Sequence, residues 1–523
     1  MLNSKFFKLL PKPTLFVGSW LFVFSSLAQT PYLFKRLSAE VNSVEYNLNV
    51  KELNNQNLFI AFSSIPNSSP YWTLNILNFS ILGDSVLQKI IVGADSSLPT
   101  LGYSSSTSFK DNRAVIGGGS TSKLPYQNRD PTLISINLDN FSIDYFKQEP
   151  RDSLNFYGQS KILSNSIVAI GYDDLEHEDG SYLVSKHKLN GDLLWSKTFG
   201  TSFFDVGTSI IESELGELYL FGGSRGYGSE PGFYNQALLI KTDSLGNELW
   251  RTTWGGYFND CANNLAATPD GGVIACGCIS EESSSGNMQV AQGYVRKMDS
   301  EGNLVWDKTY DWQSVLLGGS VHSFSVVRVL ENENIIVVGS GAKLNVDTTA
   351  SRNVPWAVIF DKNGNVLMER AYTSLVGDYS SAEFQDIQPT VDGGFIAGGT
   401  YYPSQGDTGN QDAFIVKLDE RGCEFAECQP PLLVNELVVS SNELVVWPNP
   451  TTGLLHIQTD SPIESVAVFN QLGNETLFMD TERSRSDQRV IQQIDLSSFK
   501  PGLYYLVVKT EKGVETKKFV KAN

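Results

Sequence analysis

One stretch, 218–256 (LYLFGGSRGYGSEPGFYNQALLIKTDSLGNELWRTTWGG), recurs in altered form along most of the chain and constrains its fold more than any single motif. It holds an apolar strand ending in a glycine doublet, a long polar loop, a second apolar strand, a tight Asp-Ser-Leu-Gly-Asn turn and a third strand opened around Trp250. Short strands with turn signals at even spacing cannot each bury a face alone, so the units must stack on one another.

Three strand types recur in fixed order. The first carries a large apolar anchor and, usually two residues later, a basic residue: Phe34/Arg36, Leu87/Lys89, Tyr145/Lys147, Trp195/Lys197, Trp250 with Arg251, Trp306/Lys308 and Met368/Arg370. The second ends in glycine, as in AVIGGG at 114–119, IVAIG at 167–171, VIACG at 273–277, IIVVG at 335–339 and FIAGG at 395–399, with LFIAF at 58–62 as a divergent copy. The third, as in ALLIKTD at 237–243 and AFIVKLD at 413–419, leads into an Asp-x-x-Gly-Asn turn or a relative of it. Enough chain remains between the first and second types for a fourth strand, for example NNLAAT at 263–268. Four strands per unit and seven anchors predict an all-β chain with a seven-bladed β-propeller over 29–428. After Asp419-Glu420-Arg421-Gly422 no anchor strand follows, whereas Tyr32-Leu33-Phe34-Lys35-Arg36 has no blade before it. The N-terminal strand is therefore expected to complete the last blade and close the ring, covering an edge that would otherwise stay unpaired.

The linker around Gln429-Pro430-Pro431, taken as 429–443, precedes a different pattern. From Leu444 to Asn523 short strands alternate (LVVWPNP, TGLLHIQ, ESVAVFN, GLYYLVVKT, ETKKFVKAN), which fits a small Ig-like β-sandwich.

The N-terminus reads as a secretory signal over 1–28. Lys5, Lys8 and Lys12 supply the positive region, 14–27 supplies a short apolar run, and Ser26-Leu27-Ala28 precedes a cleavage point at Gln29. The run is shorter than a bilayer span, so no transmembrane anchor is expected. Export permits disulfides. Cys423 and Cys428 are spaced to clip the end of the last blade, and Cys261 could pair with Cys276 or Cys278 across a hairpin. A formal charge of −19 argues against a nucleic-acid partner, which needs a concentrated basic face.

The tail closely resembles the type A C-terminal sorting domain of the type IX secretion system of Gram-negative bacteria. The residues that carry the resemblance are Trp447-Pro448-Asn449-Pro450, Gly453, the Gly473 turn, Asp495-Leu496-Ser497, Pro501-Gly502-Leu503-Tyr504-Tyr505 and Lys517-Lys518-Phe519-Val520. The resemblance implies export to the periplasm, engagement of the secretion machinery, and passage to the cell surface or medium. The blades resemble kelch-type or related bacterial propeller repeats, though the glycine doublet and the tryptophan fail in several copies. Only the fold is implied.

Candidates for chemistry are few. Gly222-Gly223-Ser224-Arg225-Gly226 matches a hydrolase nucleophile motif, but a polar loop and a strand follow where that motif needs a helix, so a blade turn explains it. Asp361-Lys362-Asn363-Gly364-Asn365 looks like the start of a calcium loop but keeps only what a tight turn requires. Asp173, Asp174, Glu176, Glu178 and Asp179 crowd one loop and form the one weak candidate for Ca²⁺; no other cofactor is expected. Four scattered histidines show no metal-ligand spacing. Tyr227, Phe233, Tyr234, Tyr401 and Tyr402 fall in the long loops between the second and third strand types, which propeller topology puts on one face, and stand among small polar residues, a composition suited to recognising a glycan or protein surface. The favoured reading is a secreted or surface-displayed propeller that binds a polysaccharide or protein without turnover. The alternatives are an extracellular hydrolase or lyase with its site at the propeller channel, and a structural surface component.

Overall fold

The computed structural model describes residues 34–37, 43–53, 57–65, 73–80, 85–92, 100–101, 106–120, 129–151, 154–175, 179–228, 231–256, 258–282, 289–310, 322–344, 351–376, 380–403, 411–424, 444–459, 463–470, 475–480, 490–510 and 513–522. Its chain divides into two compact units, one ending at Leu432 and the other beginning at Leu433.

Among the described residues the larger unit has seven antiparallel sheets in chain order, spanning 44–92 (sheet 1), 100–148 (sheet 2), 155–199 (sheet 3), 205–254 (sheet 4), 261–310 (sheet 5), 323–371 (sheet 6) and 381–418 (sheet 7). Sheets 1 and 3 to 6 each have four strands that pair in sequence order. In sheet 2 two short strands, Thr100–Leu101 and Thr107–Lys110, share one partner. Sheet 7 supplies three strands from its own segment, and its fourth is Phe34–Leu37, which pairs with Asp412–Leu418 from Phe34↔Val416 to Leu37↔Ala413. The guanidinium of Arg36 bonds the Asp412 carboxylate and lies 4.2 Å from the centre of the Tyr401 ring, so the two ends of the sheet array are joined by side chains as well as by the ladder.

The first strands of the sheets are Val44–Glu52, Thr107–Lys110, Asn155–Ile162, Asp205–Glu212, Cys261–Ala267, Ser323–Val329 and Ser381–Pro389. Each touches the next, and the last touches the first, which is the arrangement of a β-propeller around its axis. The anchor residues predicted from the sequence all fall on the fourth, outermost strands.

The repeat signature has a physical cause both at the glycine of the second strand and at the turn between the third and fourth. The inner strand of sheet 4 bulges between Gly207 and Ser209, which brings the Val206 carbonyl toward Gly222; a Cβ on Gly222 would lie 1.9 Å from that oxygen. Sheet 1 has a wider irregularity, between Tyr46 and Asn49 with Asn47 at φ +54°, and there Phe62 takes the glycine's place. The Asp-x-x-Gly-Asn segments are turns: the Asp243 carboxylate accepts the N–H groups of Leu245 and Asn247, at 2.9 and 2.8 Å, and Gly246 has φ +74°. The basic residue two places after an anchor also has a role: Lys197 Nζ donates to the Gly246 carbonyl of the next sheet's turn at 2.9 Å.

Cys261 is bonded to Cys278, not Cys276, because the ladder sets Cys261 directly opposite Cys278 with Cα atoms 4.6 Å apart. Cys276 is a buried thiol, and Cys428 lies outside the described residues.

The smaller unit has a three-stranded sheet (Val445–Trp447, Leu454–Thr459, Val490–Asp495) and a four-stranded sheet (Glu475–Asp480, Ile463–Asn470, Gly502–Thr510, Gly513–Lys521). Leu455, Ile457, Val466, Val468, Leu506 and Phe519 from both sheets form its core. The Pro448-Asn449-Pro450 segment is pinned to the last strand: Asn449 donates to the Lys518 carbonyl at 3.1 Å and accepts the Val520 N–H at 2.9 Å. Gly502 pairs with Lys521, the Gly453 carbonyl accepts the Leu496 N–H at 2.7 Å, and Lys517 and Lys518 are exposed. No helix among the described residues is long and apolar enough to cross a membrane.

Candidate functional site at the propeller axis

The inner strands are stitched to one another by a relay of hydrogen bonds centred on their bulges. Asn49 Oδ1 accepts the Thr107 N–H at 2.9 Å, and the Ser106 carbonyl accepts the Ser160 N–H at 3.3 Å. Gln159 Oε1 accepts the Ile210 N–H at 2.8 Å, Ser209 Oγ that of Leu265 at 3.0 Å, and Asn264 Oδ1 that of Val327 at 3.3 Å. Asp386 Oδ2 accepts the Val50 N–H at 3.1 Å and returns the relay to sheet 1. Sheet 6 breaks the series. Its bulge position is Val326, which cannot accept, so the Ile387 N–H turns to Asp386 Oδ1 at 2.9 Å and Arg328 bridges to the same oxygen at 2.7 Å.

Two residues beyond the relay on each inner strand, on the same face because strand side chains alternate, stands a second layer: Lys51, Ser108, Lys161, Ile211, Ala266, Arg328 and Gln388. Three are cationic and none is acidic. Asp386 joins three of the sheets here, since it accepts from Arg328 of sheet 6 and from the Val50 N–H beside Lys51 of sheet 1; Lys51 and Lys161 both feel the charges of Arg328 and Asp386, and Lys51 that of Glu52 as well. Burial, reinforced by Arg328, pulls Lys161 down to about 8 and lowers Lys51 as well. Burial raises the Asp386 carboxyl, and Arg328 with the Val50 and Ile387 N–H groups pulls it back. Chemically, the layer can hold negative charge and can offer an amine that loses its proton near neutral pH.

A second titratable cluster lies between sheets 2 and 3. Tyr157 donates to Glu149 Oε1 at 2.6 Å and accepts from Ser185 at 2.7 Å, and Ser185 Oγ is 2.8 Å from His187 Nε2. Burial pulls His187 down to about 4, so it is neutral at pH 7, and burial raises both Glu149 and Tyr157. Tyr157, Ser185 and His187 are fully enclosed, so the cluster ties two sheets together and presents no open position for a substrate. Sequence spacing shows only the Ser185/His187 pair on one strand; Tyr157 and Glu149 join it from other segments.

The predicted site residues are dispersed. Asp173 is buried and its carboxylate is held by Arg151 at 2.7 Å, at the base of a hairpin in which Leu175 pairs with Asp179. Asp174 is half-buried next to it, while Glu176 and Glu178 lie outside the described residues. Among the described residues no group of three or more His, Cys, Asp or Glu is placed to hold a metal. Of the aromatics, Phe233 is 71% exposed. Tyr227 accepts from Arg251 at 3.1 Å, Tyr234 packs edge-on against Phe258, and Tyr402 donates to Glu383 at 3.3 Å. Tyr401 departs from the expected exposure: it points into the core beneath Arg36. Ser224 is buried, accepts the Gly226 N–H at 3.1 Å and supports the Asp205 carboxylate. Ala28 and Gln29 lie outside the described residues.

No curated protein matches the chain. Solved structures similar to it include the Neurospora crassa Pan2 WD40 domain, at 10% identity over 60% of this chain and 89% of that one with a TM-score of 0.35. A polysaccharide lyase family 25 ulvan lyase bound to -[GlcA(1-4)Rha3S]- is similar at 11% identity over 69% of this chain and 91% of that one, with a TM-score of 0.39. The Penicillium chrysogenum alpha-L-arabinanase complexed with arabinobiose is similar at 11% identity over 63% of this chain and 99% of that one, with a TM-score of 0.36. At such identities no residue of those proteins is carried over to this one. Residues 445–522 match the secretion system C-terminal sorting domain, and the chain is thereby cargo of that machinery, exported to the cell surface or the surrounding medium.

Proposed function

We propose that this protein is a surface-displayed or released propeller that binds a polysaccharide or protein at its axis without turning it over. In this reading the seven sheets are the blades of a closed, kelch-like seven-bladed propeller over 29–428, a signal peptide is cleaved between Ala28 and Gln29, and 429–443 links the propeller to an Ig-like sorting sandwich at 444–523.

The observation that carries the reading is that Lys51, Lys161 and Arg328 occupy equivalent positions on the inner strands of three separate sheets, with Asp386 bonding Arg328 and the Val50 N–H, in a chain of net charge −19. Concave sites with a few convergent polar groups are the default places for ligands, and the axis is where propeller strands converge. The Ser185 and Tyr157 hydroxyls and His187 Nε2 that could do nucleophilic or acid-base work elsewhere are enclosed and bonded to one another, and Ser224 holds the Gly226 N–H.

One observation favours a second reading, a lyase or hydrolase. An amine drawn to about 8, as in Lys161, is matched to proton abstraction near neutral pH. The test is to incubate the purified protein with panels of acidic and neutral polysaccharides and bacterial surface proteins, measuring retention and then chain length of each ligand. A ligand retained intact supports binding; shortened products move the assignment to the enzyme, and no retention of any ligand removes both.

A further inference from the structure

We infer that the axial layer is an oxyanion site, which takes a carboxylate or sulfate group between Lys51, Lys161 and Arg328. This deepens the reading above and rests on it for the location of the site, while specifying the ligand's chemistry.

The argument is one of unsatisfied charge. Two carboxylates act on this layer: Glu52, which acts on Lys51 through its charge and accepts the Val391 N–H at 2.8 Å, and Asp386, whose oxygens already accept Arg328 Nη2, the Val50 N–H, the Ile387 N–H and Gln388 Nε2, the last at 3.3 Å. A carboxylate has about four acceptor sites, so Asp386 has little capacity left for another donor. Among the described residues the ammonium groups of Lys51 and Lys161 take part in no hydrogen bond or ion pair, though each carries three donors and both are half-buried.

Paired cations would need no further explanation. Two desolvated ammonium groups facing a guanidinium repel one another, and folding tolerates that arrangement at a cost that an incoming anion offsets. The fold does not demand a cation at this strand position, since sheets 2, 4, 5 and 7 carry Ser108, Ile211, Ala266 and Gln388 there, Ile211 and Ala266 packing into the cores between sheets and Ser108 accepting the Ile162 N–H. Neutral residues serve the architecture equally well, so the charge is placed for a ligand. The relay below the layer fixes the inner strands in register, which presets the cations before anything binds.

The oxyanion could be borne by a polysaccharide or could be a free ion, and the experiment separates the two. Lysines of the full chain are labelled with a trace amine reagent and quantified by mass spectrometry, alone and with inorganic sulfate, sodium acetate, a sulfated polysaccharide or an uncharged polysaccharide. In parallel, binding is measured by calorimetry for the native protein and for Lys51→Gln/Lys161→Gln, Lys161→Arg and the surface control Lys362→Gln. The expected result is that oxyanions protect Lys51 and Lys161 while the uncharged polymer does not. The double variant should lose roughly a hundredfold in affinity, Lys161→Arg should retain most of it, and Lys362→Gln should not differ from native. Tighter binding of the polymer than of free sulfate identifies the chain-borne group as the source; equal binding per charge identifies the free ion. Unchanged labelling of both lysines with every anion, or undiminished binding by the folded double variant, overturns the inference. Shortening of the polymer during the measurement would refute the non-catalytic reading and leave the oxyanion site standing.

Discussion

Gly302 rests on the indole of Trp250, one sheet back along the chain: a Cβ on that glycine would come within 3.0 Å of the ring, and its φ is +85°. The same relation joins Gly246 to Trp195 and Gly364 to Trp306, so the turns of sheets 4, 5 and 6 are each seated on the anchor of the sheet before. Two separate costs therefore attach to Gly302→Ala, left-handed backbone strain and collision with a packed ring. Gly393 isolates the first, because it has the same φ of +85° with nothing within 4 Å of its Cβ position. Gly393→Ala should cost about 1 kcal/mol and Gly302→Ala about 2–4 kcal/mol. Urea unfolding of both variants checks this; equal losses would mean that the indole contact contributes nothing.

The relay predicts a graded series. Ser209→Ala removes the acceptor of the buried Leu265 N–H and should cost about 1–3 kcal/mol. Asp386→Ala strands the Val50 N–H and leaves Arg328 uncompensated, for a loss of about 3–5 kcal/mol. Adding Arg328→Met to Asp386→Ala should recover part of that loss, because the buried charge is then gone. Thermal melts of the two single variants and the double one decide it; a double variant less stable than Asp386→Ala would show that the charge pair is not the cause.

The anchors and turns could be read from the sequence because each is local: Trp195 and Lys197 lie two residues apart, and the Asp243–Asn247 turn is bonded within itself. The closing strand was legible for a similar reason, since an anchor without a sheet and a sheet without an anchor stand at opposite ends. The relay was not. Its position is occupied by Asn49, Ser106, Gln159, Ser209, Asn264, Val326 and Asp386, which share no one residue type or chemistry, and each bonded partner is some 50 residues or more away in sequence. The charged layer was hidden with it, because Lys51, Lys161 and Arg328 become a group only once the inner strands form a ring. Loop composition pointed instead to aromatics such as Tyr401, whose place beneath Arg36 depends on a strand from the far end of the chain.

That strand supports a third prediction. Phe34–Leu37 covers the edge of Asp412–Leu418 and brings Arg36 onto both Asp412 and Tyr401. Deleting residues 29–39 should leave a bare edge in sheet 7, lower the melting temperature sharply and promote association between molecules through the exposed ladder. Arg36→Ala keeps the ladder and loses the ion pair and ring contact, for about 1 kcal/mol. Calorimetry with light scattering reads both effects, and an unchanged melt of the deletion would remove the closing role of this strand.

The last prediction turns on the proton of Lys161. In the folded protein burial and Arg328 hold it near 8, below its ordinary 10.5, while Asp386 pulls the other way; burial lowers Lys51 as well. Below pH 8 the amine is charged in both folded and unfolded chains, and the burial penalty stands in full. Between about 8 and 10.5 the folded molecule sheds the proton that the unfolded chain still holds, so this group makes stability rise with pH across that window. Lys161→Gln should therefore stabilise the protein at pH 7 by about 2 kcal/mol, with the gain shrinking to nothing by pH 10.5. Saturating sulfate should shrink the gain at pH 7 as well, because an anion in the layer compensates the charge in the native protein and leaves the variant less affected. Urea midpoints of both proteins from pH 6.5 to 10.5, with and without sulfate, follow the difference directly; a constant gap across that range would show that Lys161 titrates as a solvent-exposed amine, and the electrostatic account of the axial layer would fall with it.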